Sequence, residues 1–124
     1  MASMMTAIND STGVVNNLKV NSAGELLVST SGASVSTTAT VTSVSSSASS
    51  VQLLASTSTR EMASFYNNST AVLYLKMGTT ASATDFTVEI PSETLYELPF
   101  PCYTGRIDGI WASANGACLV TEQA

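Results

Sequence analysis

Between Val51 and Glu122 the chain breaks into seven short runs that read as β-strands, each closed by turn-forming residues, and no stretch carries a helical period beyond a turn or two. The runs are Val51 to Ala55, Glu61 to Asn67, Ala71 to Met77, Asp85 to Ile90, Thr94 to Leu98, Arg106 to Ala112 and Ala117 to Glu122. Strand-like segments recurring about every 8 to 12 residues are the mark of sandwiches and barrels. The expected fold is therefore all-β: a small antiparallel β-sandwich or barrel-like domain of about seven strands over residues 51–124, with residues 1–50 as an extended N-terminal arm.

Alternation assigns faces. In "DFTVEIP" Phe86, Val88 and Ile90 fall on one side, with Asp85, Thr87 and Glu89 on the other. "AVLYLKM" sets Leu73, Leu75 and Met77 against Val72, Tyr74 and Lys76, apolar enough on both sides to be a covered strand. These two runs, inside Asn67 to Ile90, are expected to pair. Pro91 and Pro99 remove backbone donors around "SETLYELPFP", which should be short or lie at an edge. Asn115-Gly116 reads as a type I′ turn making a hairpin of "IDGIWASA" and "ACLVTE". The expected core is Trp111, Phe65, Phe86, Leu73, Leu75, Val88, Ile90, Ile107, Ile110, Leu119 and Val120.

The first fifty residues differ in texture. "GVVNNLKV" and "GELLVST" flank turn residues Asn21, Ser22 and Gly24 and suggest a small hairpin, too short to stand alone. From Ser29 to Ser50, 15 of 22 residues are Ser or Thr and none is charged. So little apolar area points to a linker or an arm that orders on contact. The alternation of Val35, Thr37, Ala39 and Val41 with Ser36, Thr38 and Thr40 leaves an edge strand as the alternative.

Charge narrows the function. Only 10% of the 124 residues are charged, against about 25% in an ordinary soluble domain. A surface so poor in repulsion favours cover by copies of itself or by a partner, and a homo-oligomer is expected. Net charge −5 opposes binding to phosphate backbones, so no nucleic-acid partner is expected. No run approaches the roughly 20 apolar residues of a membrane helix and the N-terminal residues lack an export pattern, so neither membrane nor Sec export is expected.

Chemistry is scarce. With no histidine, Ser-His-Asp and Cys-His nucleophiles are excluded, and the chain is expected not to be an enzyme. Glu89, Glu93 and Glu97 recur every four residues but read as solvated outer-face acids, not a carboxylate pair for glycoside cleavage. Asp85 and Asp108 lack a calcium-loop pattern, and "GTTASATDF" has no lysine for a phosphate cradle. Cys102 and Cys118 fit no zinc or redox spacing; they read as buried free thiols, with a disulfide as the alternative. No cofactor and no metal is expected. Tyr66, Tyr74, Tyr96, Tyr103 and Trp111 admit a sugar-binding surface, though strand aromatics are more often core or subunit contacts.

From Arg60 onward, "REMASFYNNSTAVLYLKMGTTASATDFTVEI" followed by "YELPFPCYTGRIDGIWASANGACLVTE" resembles a small β-domain of virion proteins of tailed bacteriophages. In those sequences an N-x-S/T turn leads into "LYLKMG", then "ATDFTV", an aromatic-rich turn, "G-x-I-x-G-I-W" and a closing "VTE". The likeness spans about half the chain, roughly Ser58 to Glu122, and its motifs are structural; "LKVNSAGELLVS" also resembles leader segments of phage head and tail proteins. The resemblance implies a capsid decoration, or cement, protein that bridges major capsid protein subunits on the outside of the virion, assembled in the host cytoplasm. It also implies a homo-oligomer, a trimer before a dimer. The alternative is a head or tail fibre or receptor-binding component that recognises a host glycan. On this reading the capsid contacts are Val14, Val15, Leu18, Val20, Leu26, Leu27, Val28, Val35, Val41 and Val44, and self-association uses Tyr74, Tyr96, Phe100 and Tyr103.

Overall fold

The computed structural model describes Ile8–Asn9, Val15–Asn16 and residues 22–24 and 35–124. The chain divides into two compact units, Met1–Ala33 and Ser34–Ala124. In the first, β1 (Ile8–Asn9) pairs antiparallel with β2 (Val15–Asn16), and residues 22 and 23 form a turn with Gly24 at φ 82°, where the sequence sets its turn residues. Val14, Leu18, Val20, Leu26, Leu27 and Val28 lie outside the described residues.

The second unit is all-β. Its strands are β3 (Ala39–Ser45), β4 (Val51–Leu54), β5 (Met62–Asn68), β6 (Leu73–Met77), β7 (Val88–Ile90), β8 (Leu95–Glu97), β9 (Ile107–Trp111) and β10 (Ala117–Gln123). They form two four-stranded antiparallel sheets, ordered β3-β10-β5-β8 and β4-β9-β6-β7. The hairpin expected between Asn67 and Ile90 is present, with Leu73 opposite Ile90 and Leu75 opposite Val88. β8 is a three-residue edge strand, as its flanking prolines require.

Two expectations about strand pairing change. The Ser/Thr-rich stretch is a strand of the sheet from Ala39 to Ser45, so the edge-strand alternative holds there and the arm reading does not. Weak hydrophobicity is no obstacle at an edge, where one side of the strand is bonded to β10 and little area has to be buried. The Asn115-Gly116 turn makes no hairpin either. β9 and β10 belong to different sheets, and β6 to β7 is the one connection between consecutive strands of this unit that stays within a sheet. The turn is still built for its residues: Gly116 has φ 85°, and a Cβ there would stand 2.3 Å from the Asn68 carbonyl oxygen.

Between the sheets lie Trp111, Phe65, Leu73, Leu75, Ile90, Ile107 and Val120, joined by Leu53, Ala63, Leu98 and Cys118. Phe86, Val88 and Ile110 are half-buried, and Leu119 points outward, because inward alternation on β10 runs through Cys118 and Val120. Two buried polar groups tie the layers. The Asn67 amide donates to the Ala71 and Ile90 carbonyls at 2.8 and 2.9 Å and accepts from Trp111 Nε1 at 3.1 Å and Ser69 Oγ at 2.7 Å. Arg60 donates to Glu122, Ala55, Tyr103 and Gly105 and closes one end of the sandwich.

Candidate interaction surface

Cross-strand register fixes which side chains share the outer side of the β3-β10-β5-β8 sheet. Ser43, Leu119, Tyr66 and Leu95 lie in one row, and Val41, Thr121, Ser64 and Glu97 in the next. Met62 and Gln123 continue the face beyond the second row, and Ala117 and Asn68 beyond the first. Among these residues Glu97, at the β8 edge, is the one charge. Val41 is 66% exposed, Leu95 54% and Leu119 36%, three of the five large hydrophobic residues exposed in this unit. The outer side of an antiparallel sheet is ordinarily polar; here Val41, Leu119 and Leu95 stand exposed among hydroxyl and amide residues with a single charge at the edge.

The opposite sheet keeps the usual pattern. Its outer side carries Gln52, Asp108, Lys76, Tyr74, Ile110 and Glu89 by the same register argument. Lys76 forms an ion pair with Asp85, and Arg106 Nε meets Asp108 at 2.6 Å. Asp108 also accepts from the Thr80 amide at 2.8 Å, which holds the loop after β6 over it. The two aspartates considered for calcium are thus engaged with different cations of the chain. Charge is uneven between the sheets: one carries Asp108, Lys76 and Glu89 on its outer side, with Asp108 buried under its ion pair, and the other carries Glu97 alone.

The remaining candidates fall apart spatially. Glu89 and Glu97 stand on edge strands of different sheets, with Glu93 in the turn between at φ 56°, and all three are exposed. Among the described residues no group of three His, Cys, Asp or Glu side chains could hold a metal ion. Cys102 and Cys118 are free thiols, Cys118 buried and Cys102 partly so. Burial pushes the Cys118 thiol up to about 12 and also raises that of Cys102, against the pull of the nearby Arg60 charge. Neither is poised as a thiolate nucleophile.

Of the residues assigned to self-association, Phe100 is 95% exposed. Tyr96 stacks on Phe65 with ring centroids 6.5 Å apart, Tyr103 packs on the core, and Tyr74 lies 5.1 Å from Phe86. Of the capsid-contact residues, Val35 and Val41 are exposed, while Val44 faces inward opposite Cys118 and packs on the core. Nothing in the sequence singles out Leu95, and the core expected from it includes Leu119. Parity in "ACLVTE" was the missing signal, since Cys118 and Val120 on one side leave Leu119 and Thr121 on the other. No family model matches the chain, and no curated protein and no solved structure matches it.

Proposed function

We propose that this chain is a structural virion protein of a tailed bacteriophage, which decorates and stabilises the outer capsid surface by bridging major capsid protein subunits. The observation that carries the reading is the outer face of the β3-β10-β5-β8 sheet, where Val41, Leu119 and Leu95 stand exposed beside Tyr66 with Glu97 as the one charge. Net charge −5 suits the outside of a particle better than its DNA-lined interior. The likeness of the segment from Arg60 to Glu122 to phage virion domains points the same way. On this reading the expected capsid contacts in the first unit, Val14, Val15, Leu18, Val20, Leu26, Leu27 and Val28, would add a second attachment besides the sheet face.

Magnitudes favour an array. Full burial of an exposed Leu or Val is worth roughly 1.5 to 3 kcal/mol, and Leu119, Leu95, Val41 and Tyr66, already partly covered, return a fraction of that each. Association of a free copy costs about 4 to 15 kcal/mol before any gain appears. A single face therefore adheres weakly, and a protein that grips through two linked contacts gains by effective concentration. Such a protein works on a repetitive lattice.

The test is saturation binding of the purified chain to empty expanded heads. Uptake should level off at a fixed number of copies per capsomer. No uptake, or uptake that never saturates, overturns the reading.

A further inference from the structure

The edges of the two sheets are not alike. β7 and β8 are three residues long and carry Glu89 and Glu97; Pro91 follows β7 directly and Pro99 lies two residues past β8. β4 has four residues and an irregular register between Gln52 and Leu54. Short length, charge, proline and bulges are the devices by which proteins keep edge strands from pairing with other chains. β3 has none of them. It runs seven residues, Ala-Thr-Val-Thr-Ser-Val-Ser, in regular register with β10, and no described strand pairs with its other side.

The hydrogen-bond phase of that free side follows from the ends of the ladder. Thr38 and Ala124 exchange backbone bonds, Thr38 N to Ala124 O at 3.1 Å and Ala124 N to Thr38 O at 3.0 Å, and Ser46 N reaches Gly116 O at 3.0 Å. Even-numbered residues therefore bond to β10. Ala39, Val41, Ser43 and Ser45 direct their N–H and C=O groups away from the sheet.

We propose that β3 pairs antiparallel with β3 of a second copy of this chain, about a two-fold axis at Thr42. Side chains of a continuous sheet must keep their faces, so the axis has to pass through a residue, and Thr42 is the centre that uses the whole strand. Val41 then lies opposite Ser43 of the second copy and Ala39 opposite Ser45, each in a mutually hydrogen-bonded pair, with Thr42 facing Thr42. Thr-Thr cross-strand pairs are favourable and no like charges meet. Self-pairing also carries the apolar rows onward: Val41 of one copy fills the space beside Ser43 and Leu119 of the other, and the two outer faces become one. An isologous contact of this kind closes at two copies. The contact does not depend on what the sheet face adheres to.

One seven-residue edge is smaller than a standard stable interface, so the dimer should be reversible and concentration-dependent. Sedimentation of the full chain from micromolar to near-millimolar concentration should show a monomer–dimer equilibrium. Ser43→Pro removes an outward N–H that β10 does not use; it should leave the unfolding midpoint in place and weaken dimerisation at least ~10-fold. Thr42→Lys and Thr42→Glu should each be monomeric alone, and their equimolar mixture should restore the dimer. A chain that stays monomeric throughout, a trimer, or a dimer indifferent to Ser43→Pro overturns the proposal. Failure of the mixture to recover overturns the axis at Thr42.

Discussion

Asn67→Leu, a near-isosteric change at a residue that looks in sequence like its neighbour Asn68, should cost about 4 kcal/mol of stability. Asn67 is fully buried. Its amide links three parts of the sandwich: the Ala71 carbonyl before β6, the Ile90 carbonyl at the end of β7, and the indole N–H of Trp111 on β9. Leucine leaves the Trp111 N–H and the Ile90 carbonyl without these partners inside the protein. Each stranded buried group costs about 1 to 3 kcal/mol, whereas an intact hydrogen bond adds only about 1. For a domain of this size the loss corresponds to a fall of roughly 15 to 25 °C in thermal midpoint. Asn68→Leu at the exposed neighbour should stay within about 0.5 kcal/mol, and calorimetry of the pair tests the contrast directly.

Arg60→Met should be comparably damaging, at about 3 to 5 kcal/mol, since it strands the carbonyls that a buried guanidinium serves. The Arg60 side chain is fully buried and all its recorded partners are acceptors: Glu122 Oε2 at 2.7 Å, Tyr103 O at 2.8 Å, Gly105 O at 3.0 Å and Ala55 O at 2.5 Å. The planar fork reaches all four at once, which an ammonium on a flexible stem does not. Three of the four are backbone carbonyls, so the residue works chiefly as a staple between the segment after β4, the loop before β9 and strand β10. Glu122→Gln should accordingly cost only about 1 kcal/mol, because the carbonyls still hold the cation. Denaturant unfolding of the two variants distinguishes a staple from an ion pair: equal losses would show that the charge on Glu122 dominates.

Local signals in this sequence revealed strands more faithfully than they revealed partners. The clean alternation of Val88 and Ile90 with Glu89, and the prolines around Leu95 to Glu97, placed a hairpin strand and an edge strand because period and donor loss are properties of the segment itself. Which sheet a strand joins is set by distant packing. That is why a turn as distinctive as Asn115-Gly116 was assigned to a hairpin, although it crosses between layers. Composition misled at Ala39 to Ser45, where hydroxyl-rich residues suffice for a strand that needs a partner on one side only. The knots at Asn67 and Arg60 were invisible, since no local pattern tells a buried amide or guanidinium from an exposed one. The face proposed for adhesion is half legible: the sequence marks Val41 as a contact residue, but it sets Leu119 in the core and nothing in it singles out Leu95.

Adhesion through the outer face of the β3-β10-β5-β8 sheet is tested most directly by Leu119→Glu. That residue sits mid-face on β10, between Ser43 and Tyr66, points away from the core and is 36% exposed. The thermal midpoint should move by no more than the equivalent of about 1 kcal/mol. Binding to empty heads should weaken about 100-fold, because an unpaired carboxylate would be trapped in an apolar contact. Undiminished binding by a normally folded Leu119→Glu protein would contradict the account.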